Sequence, residues 1–208
     1  MVTIQTVGPT NFGAAAEFLH AAGFSVGGIR RLALATAICR DAGKGNVFAE
    51  IGSTPDQGIV AATLAVRDAP RYFRAFLIRH PELWLRIVRR RFRRLREPCP
   101  ENRSGKVILQ IPDEWLGKGT PPVGWNTSGR QVARVLYTAI SPPLRGQGLA
   151  GRLRQSIFKR LAAAGVDYAV GRIAYSNAPA IKMGGRSGYL FWRDTRTHWL
   201  GVRDLRKP

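Results

Sequence analysis

The chain has 208 residues, of which 45% are hydrophobic, and its 33 Lys and Arg against 13 Asp and Glu give a formal charge of +20. That length and apolar content suit one packed domain and are short for two, and nowhere do 18 uninterrupted apolar residues occur that would span a membrane. Residues 1–10 lack the basic start and apolar run of a secretory signal, and Cys39 and Cys99 make no metal spacing, so a cytoplasmic protein with a buried Cys39, a loop Cys99 and no metal is expected.

Alternation predicts a strand over residues 3–7, and helical spacing predicts helices over 12–22 and 29–42, the second ended by Gly43 and Gly45. Residues 46–52 and 58–66 read as a hairpin whose turn contains Ser53-Thr54-Pro55-Asp56. Residues 67–96 interrupt this order. They hold eleven arginines against Asp68 and Glu82, which is +9 of the chain's +20. Pro70 and Pro81 in first-turn positions predict two helices broken at His80-Pro81. In the second, Trp84, Val88, Phe92 and Leu95 form an apolar stripe among Arg86, Arg89, Arg90, Arg93, Arg94 and Arg96. Three readings stay open for this basic pair: a solvated flap packed on the domain, contact with an anionic membrane through residues 71–96, and nucleic acid. The last is the least favoured, because no recognised nucleic-acid-binding signature accompanies the charge. Residues 107–130, with Pro112, Trp115, Gly117, Gly119, Pro121, Pro122 and Trp125, read as an irregular loop placed to wall the acceptor side of a site.

Residues 133–164 are the most informative stretch. Val135, Leu136, Tyr137 and Ile140 mark a strand that stops at Ser141-Pro142-Pro143, where proline cannot donate to a ladder. Gly146 and Gly148 then expose amides at the start of a helix over 149–164. Leu153, Ile157, Leu161 and Ala164 set its buried face, Arg152, Arg154, Lys159 and Arg160 its expected wet face, and Gly165 its end. Such a turn is an anion cradle suited to phosphate. A P-loop needs Lys-Ser/Thr after the second glycine, and Leu149-Ala150 stand there instead. Gly146, Gly148 and Gly151 do spell the dinucleotide pattern, but the turn comes two thirds along the chain, and Asp167 precedes the next strand where that motif has an acid ending it.

A third pattern fits these residues. Arg145-x-x-Gly148-x-Ala150, preceded by Ile140-Ser141-Pro142, resembles motif A of the GNAT superfamily, the acyl-CoA-dependent N-acetyltransferases. Residues 168–175, predicted as a strand, lead into Asn177-Ala178-Pro179-Ala180, a short helix and Gly188-Tyr189, which resembles the family's motif B. The opening strand, two helices and hairpin, and a closing hairpin of 189–193 and 197–202 across Asp194-Thr195, follow the same order. The resemblance implies an α/β fold: a mixed, mostly antiparallel sheet of six to seven strands flanked by helices, in one domain over 1–208 with a basic helical insertion at 67–96.

It also implies acetyl-CoA or another acyl-CoA as cosubstrate, with no metal. The acyl-pantetheine arm would pair with the strand at Ala139 and Ile140. The amides of Arg145, Gly146, Gln147, Gly148, Leu149 and Ala150 would hold the pyrophosphate, and the side chain of Asn177 would touch the pantetheine. The reaction implied is acyl transfer to the amine of a small-molecule acceptor, anionic or membrane-associated, such as an amino sugar, in the cytoplasm or peripherally at the inner membrane face. A backbone amide around Ala139 or Ile140 would polarise the thioester carbonyl. The family's acid, a tyrosine seven residues after the motif B asparagine, is replaced here by Gly184. Either the thiolate leaves unaided, or Tyr175 or Ser176 substitutes. Glu50, inside the apolar run Val47-Phe48-Ala49-Glu50-Ile51, is the candidate base, because burial disfavours a carboxylate's charge. His198 reads as structural. Gly184 and the lack of a strand carboxylate leave a second reading, a non-catalytic acyl-CoA-binding, membrane-binding or nucleic-acid-binding module.

Overall fold

A computed structural model describes residues 1–25, 29–81, 83, 111–124, 131–195 and 197–207. The opening strand is β1 (Thr3–Thr6), followed by α1 (Phe12–Ala21), α2 (Leu32–Arg40) and the hairpin β2 (Val47–Thr54) and β3 (Gly58–Arg67). Helix α3 (Ala69–Arg79) begins the basic insertion. Strand β4 (Val132–Ile140), α4 (Leu149–Ala163), β5 (Tyr168–Ala174) and α5 (Ala178–Arg186) come next, and β6 (Leu190–Arg193) and β7 (His198–Asp204) close the chain. Most ends lie within two or three residues of those read from periodicity. The strands form one seven-stranded sheet in the order β1-β2-β3-β4-β5-β7-β6. Only the central β4–β5 pair is parallel. The α/β class and the mostly antiparallel sheet are as the sequence implied.

The sheet is covered on both faces. Leu19 of α1, Ile38 of α2 and Phe76 of α3 pack with Ile51 and Leu64 on one face. Ile157 and Leu161 of α4 and Ile181 of α5 pack with Phe48, Ala133 and Ile173 on the other. Each fully buried side chain of this size contributes roughly 1.5–3 kcal/mol relative to exposure. Cys39 belongs to the first layer, and burial pushes its thiol up to about 12, so it is an inert core thiol. Among the described residues no helix is long and apolar enough to cross a membrane.

The first basic helix starts as its sequence implies. Asp68 adopts a left-handed φ of 45°, its carboxylate accepts from the Arg71 amide at 3.4 Å, and Pro70 stands in the first turn. The helix is fastened to the end of α2 through buried Asp41, which accepts from the Tyr72 hydroxyl at 2.9 Å, Arg79 Nη2 at 3.0 Å and Lys44 Nζ at 3.3 Å. Burial alone would raise the Asp41 pKa, but the hydrogen bonds from Arg79, Tyr72 and Lys44 outweigh it and hold the carboxyl below its ordinary value. A depressed folded-state pKa stabilises the fold above the unfolded value, about 3.9 for Asp, and that stabilisation is lost as pH falls through the folded value. Asp41→Asn should therefore lower stability at neutral pH and flatten the acid limb of a stability–pH curve measured by urea unfolding. The Trp84 to Arg96 stripe and Cys99 lie outside the described residues.

Residues 111–124 pack on the end of the sheet. Leu116 bridges Phe191, the Gly117 amide donates to the Phe191 carbonyl at 3.0 Å, and Trp192 Nε1 donates to the Gly119 carbonyl at 3.0 Å. This stretch runs along the β6 edge of the sheet, covering backbone that would otherwise be an open edge; residues 107–110 and 125–130 of the expected loop lie outside the described residues.

Candidate functional site

The site begins where β4 and β5 part. They pair only over Val132↔Tyr168, Ala133↔Ala169 and Arg134↔Val170, and from there to their C-terminal ends each strand keeps only its outer neighbour. Beside this split β4 bulges: Leu64 faces Tyr137 but Ala65 faces Val135, which leaves Leu136 as the extra residue. The Ser141 amide donates to the Val60 carbonyl at 2.8 Å. Antiparallel alternation then turns the amides of Tyr137 and Ala139 towards β3 and those of Thr138 and Ile140 into the split. Of the two strand amides expected to face a ligand, that of Ile140 opens into the split and that of Ala139 points to β3.

The turn above the split leads into α4 with Gly146 at φ 82° and Gly148, its N-cap, at φ 74°. These left-handed angles are the reason for glycine, since a Cβ at either position would meet nothing within 4 Å. The Arg145 amide donates to the Pro142 carbonyl at 3.2 Å, so it is not available to a ligand, and its Nε donates to the Ile140 carbonyl at 3.3 Å. The six amides from Gly146 to Gly151 donate to no backbone carbonyl among the described residues. No side chain caps the helix start. Gln147, Gly148, Leu149 and Ala150 thus belong to one uncapped, electropositive turn.

The other predicted site residues are placed differently from one another. Asn177 begins α5, where its Oδ1 accepts from the Ala180 amide at 3.2 Å as an N-cap. Its side chain is exposed, and its amide group is left for another acceptor. Tyr175 donates its hydroxyl to the Thr195 carbonyl at 2.6 Å and packs edge-on to Trp199, so its proton is committed to the β6–β7 turn. Glu50 is 2% exposed, lies two strands from the split, and accepts from Arg160 Nη1 at 2.7 Å. It is one half of a buried ion pair, which corrects its reading as a base. Arg154 and Arg160, expected on the wet face of α4, both turn towards the sheet. Arg154 is 6% exposed with its guanidinium 5.3 Å from the Tyr189 ring centroid, and Arg160 lies over Phe48.

One more titratable group lies near the end of β5. His198 stands opposite Ala174, the last residue of β5, on the sheet face opposite α4, which it shares with Arg172. Its Nδ1 lies 2.8 Å from Thr197 Oγ1. Burial and the nearby Arg172 keep its pKa below the ordinary histidine value, against the opposing pull of Asp194, which Arg172 binds at 2.5 Å. The only sequence signal was its position in the closing hairpin.

No protein-family model matches the sequence, and no curated protein matches it. Solved structures do match. A GNAT-family acetyltransferase from Desulfovibrio desulfuricans is similar at 9% identity, with 99% of each chain covered and a TM-score of 0.57. Arabidopsis thaliana NAA60, solved with acetyl-CoA, is similar at 13% identity over 99% of each chain, with a TM-score of 0.56. The ribosomal-protein-S18-alanine N-acetyltransferase of Escherichia coli is similar at 13% identity, covering 99% of this chain and 94% of its own, with a TM-score of 0.55. The chain has the GNAT fold.

Within the GNAT fold, the missing tyrosine has a packing reason. Gly184 faces the sheet from α5, and a Cβ there would stand 2.8 Å from Phe191 Cζ. The next residue, Gly185, lies against the Trp115 ring. This helix approaches the sheet too closely for any larger side chain. Gly184→Tyr should therefore destabilise by about 1–3 kcal/mol or more through overpacking, without gaining a general acid. Urea unfolding reads the loss; a variant as stable as the parent would contradict this packing.

Proposed function

We propose that this protein transfers an acyl group from acyl-CoA to an amine. The observation that carries the reading is one continuous arrangement: six amides without a backbone acceptor among the described residues at the start of α4, directly above a split whose open β4 edge presents the amides of Thr138 and Ile140. The first set suits a diphosphate, and the second suits the amide groups of a pantetheine arm. Gly148 and Ala150 follow β4 and Asn177 follows β5, in the order of the two motifs.

In this reading the amine lone pair attacks the thioester carbonyl, a C–N bond forms, the C–S bond breaks, and the thiolate departs. An amide of the open β4 edge would polarise the carbonyl oxygen as it gains charge. Alignment of the two substrates supplies much of the acceleration, since effective molarities of about 10⁵ M or more are reached by well-oriented groups. His198 accepts the proton released by nitrogen: it is neutral near pH 7 and is held through Nδ1 by Thr197. The thiolate takes up a proton from solvent, because Tyr175 is engaged elsewhere. The formal charge of +20 favours an anionic small-molecule amine.

The test is thiol release from acetyl-CoA, followed with a thiol reagent, across amines that include glucosamine phosphate, spermidine and a peptide N-terminus. Release above the uncatalysed rate with any of them supports the reading. Protein that is stabilised by CoA yet silent across amines of every class would favour the non-catalytic acyl-CoA-binding module.

The outward face of α3 supports peripheral contact with an anionic membrane as part of the same proposal. Arg71, Arg74 and Ile78 follow one another at helical spacing, and Ile78 is 81% exposed. Sedimentation with anionic but not neutral vesicles, lost in Arg71→Glu/Arg74→Glu, is the expected outcome.

A further inference from the structure

A cavity of about 240 Å³ lies between the end of α2, the loop that follows it and α3. Its floor is buried: Asp41 and Tyr72 meet there, the hydroxyl donating to the carboxylate at 2.9 Å. Its rim is exposed and basic, formed by Lys44, Arg71 and Arg79. Arg71, Ala75 and Arg79 follow one another at four-residue spacing along one stripe of α3, and the small Ala75 between the two arginines leaves the space open. Asp41 takes one hydrogen bond from Lys44 and one from Arg79, which draws both cations to the cavity. A lysine carries three N–H donors and an arginine five, so each keeps donors for a further acceptor. The Arg71 guanidinium has no hydrogen-bond or ion-pair partner among the described residues.

Three cations thus line the cavity against two carboxylates, and one of these, Asp41, is already met by three donors. The balance selects an anion. The other carboxylate, Asp68, says which kind. Its Oδ1 caps α3 by accepting from the Arg71 amide at 3.4 Å, and its Oδ2 has no hydrogen-bond partner among the described residues. A carboxylate on the wall of an anion site repels a fully ionised guest but accepts a hydrogen bond from one that keeps a proton. A phosphate monoester, with a second pKa of about 6, keeps one readily, whereas sulfate has none to give near neutral pH. The closed floor also admits the end of a group, so a terminal phosphate fits where a diester would have chain leaving on both sides.

We infer that this cavity binds the phosphate of a phosphomonoester, free or as a lipid headgroup, through Lys44, Arg71 and Arg79, and that Asp68 accepts the proton of the bound phosphate. The site stands apart from the acyl-CoA cradle. The Asp68 amide donates to the Val132 carbonyl at the start of β4, whereas the cradle follows Ile140 at its end, roughly 26 Å away at about 3.3 Å per residue. The inference therefore does not depend on the acyl-CoA reading. Arg71 also belongs to the α3 stripe proposed to meet an anionic membrane, which makes a lipid phosphate one of the two sources to be distinguished.

The experiment is calorimetric titration of glycerol 3-phosphate and of sulfate into the wild type, Lys44→Ala/Arg71→Ala, Asp68→Asn and, outside the cavity, Arg74→Ala. Wild type should bind glycerol 3-phosphate about tenfold or more tightly than sulfate, the scale of one charge-assisted contact. The double variant should lose about tenfold or more in affinity for the phosphate, and Arg74→Ala should lose little. Asp68→Asn should bring the phosphate-to-sulfate ratio towards one, because asparagine keeps the cap and tolerates the left-handed φ of 45° without the charge. If the double variant melts early, Arg71→Ala alone leaves every contact of Asp41 in place and carries the same test. Flotation with phosphatidylcholine vesicles holding equal fractions of phosphatidic acid or phosphatidylglycerol separates the sources. A preference for phosphatidic acid that Arg71→Ala removes assigns a lipid headgroup, and no preference between the vesicles alongside tight glycerol 3-phosphate binding assigns a soluble phosphomonoester. Equal wild-type affinities for glycerol 3-phosphate and sulfate, binding of neither, or binding that survives loss of Lys44 and Arg71 would overturn the inference. A phosphate preference that survives Asp68→Asn would overturn the part given to Asp68.

Discussion

Gly148→Glu is expected to abolish stabilisation by CoA and acetyl-CoA while leaving a folded protein. The wild type at about 100 times Kd should gain roughly 2.7 kcal/mol of stability from either ligand, and the variant should gain none. Two properties of the position make the effect large. Gly148 is the N-cap of α4, and no side chain occupies the amides that follow it. A glutamate placed there brings a carboxylate to the spot where a diphosphate would sit, and its own interaction with the helix start competes with the ligand. The space is open, since a Cβ on Gly148 meets no atom within 4 Å. The fold therefore bears only the left-handed φ of 74°, which costs a non-glycine residue about 1–3 kcal/mol. Gly148→Ala carries the same backbone strain without the charge and separates the two effects. Its CoA affinity should fall far less than that of the glutamate variant. An unchanged CoA affinity in Gly148→Glu would remove the cradle from the site.

The residues that make this test possible were visible in the sequence because they are constrained locally. Left-handed angles demand Gly146 and Gly148, proline ends β4, and the first turn of α5 needs the Asn177 cap, all within a few residues of chain. What was not visible depends on partners far away. Glu50 sits in an apolar run, and nothing nearby says that Arg160, 110 residues later, closes on it. The single apolar stripe of α4 predicts one buried face, but the helix packs against both the sheet and Tyr189, so Arg154 and Phe158 are buried as well. Phe158, one turn after Arg154, was the available signal that this side is not wet. Gly184 reads in sequence as a lost catalytic group, and only the approach of Phe191 shows why a side chain is excluded there. The parting of β4 and β5 has no sequence signature beyond the extra residue at the bulge, because strand pairing is set by both partners.

Arg160→Met should be the most destabilising conservative change in the sheet region, at about 3–5 kcal/mol, because it leaves the buried carboxylate of Glu50 without its partner. Glu50 is 2% exposed on β2 between β1 and β3; its other polar contact is the Thr6 hydroxyl at 3.5 Å, too long to replace a guanidinium at 2.7 Å. The two halves of the pair are not equivalent. Arg160 keeps 32% of its side chain exposed, so Glu50→Gln lets it turn to water and should cost much less. Replacing both residues by methionine removes the desolvation of both charges and should recover most of the loss, which is the signature of a pair that specifies packing more than it adds net stability. The same series separates a structural carboxylate from a catalytic one. A base would lose turnover in Glu50→Gln at nearly constant stability; a structural partner of Arg160 loses stability while turnover per folded molecule holds. Urea unfolding of the three variants, alongside thiol release per folded molecule, decides between them. The second pattern is expected, because a carboxylate two strands from the split and sealed by an arginine cannot reach a nucleophile bound in the split.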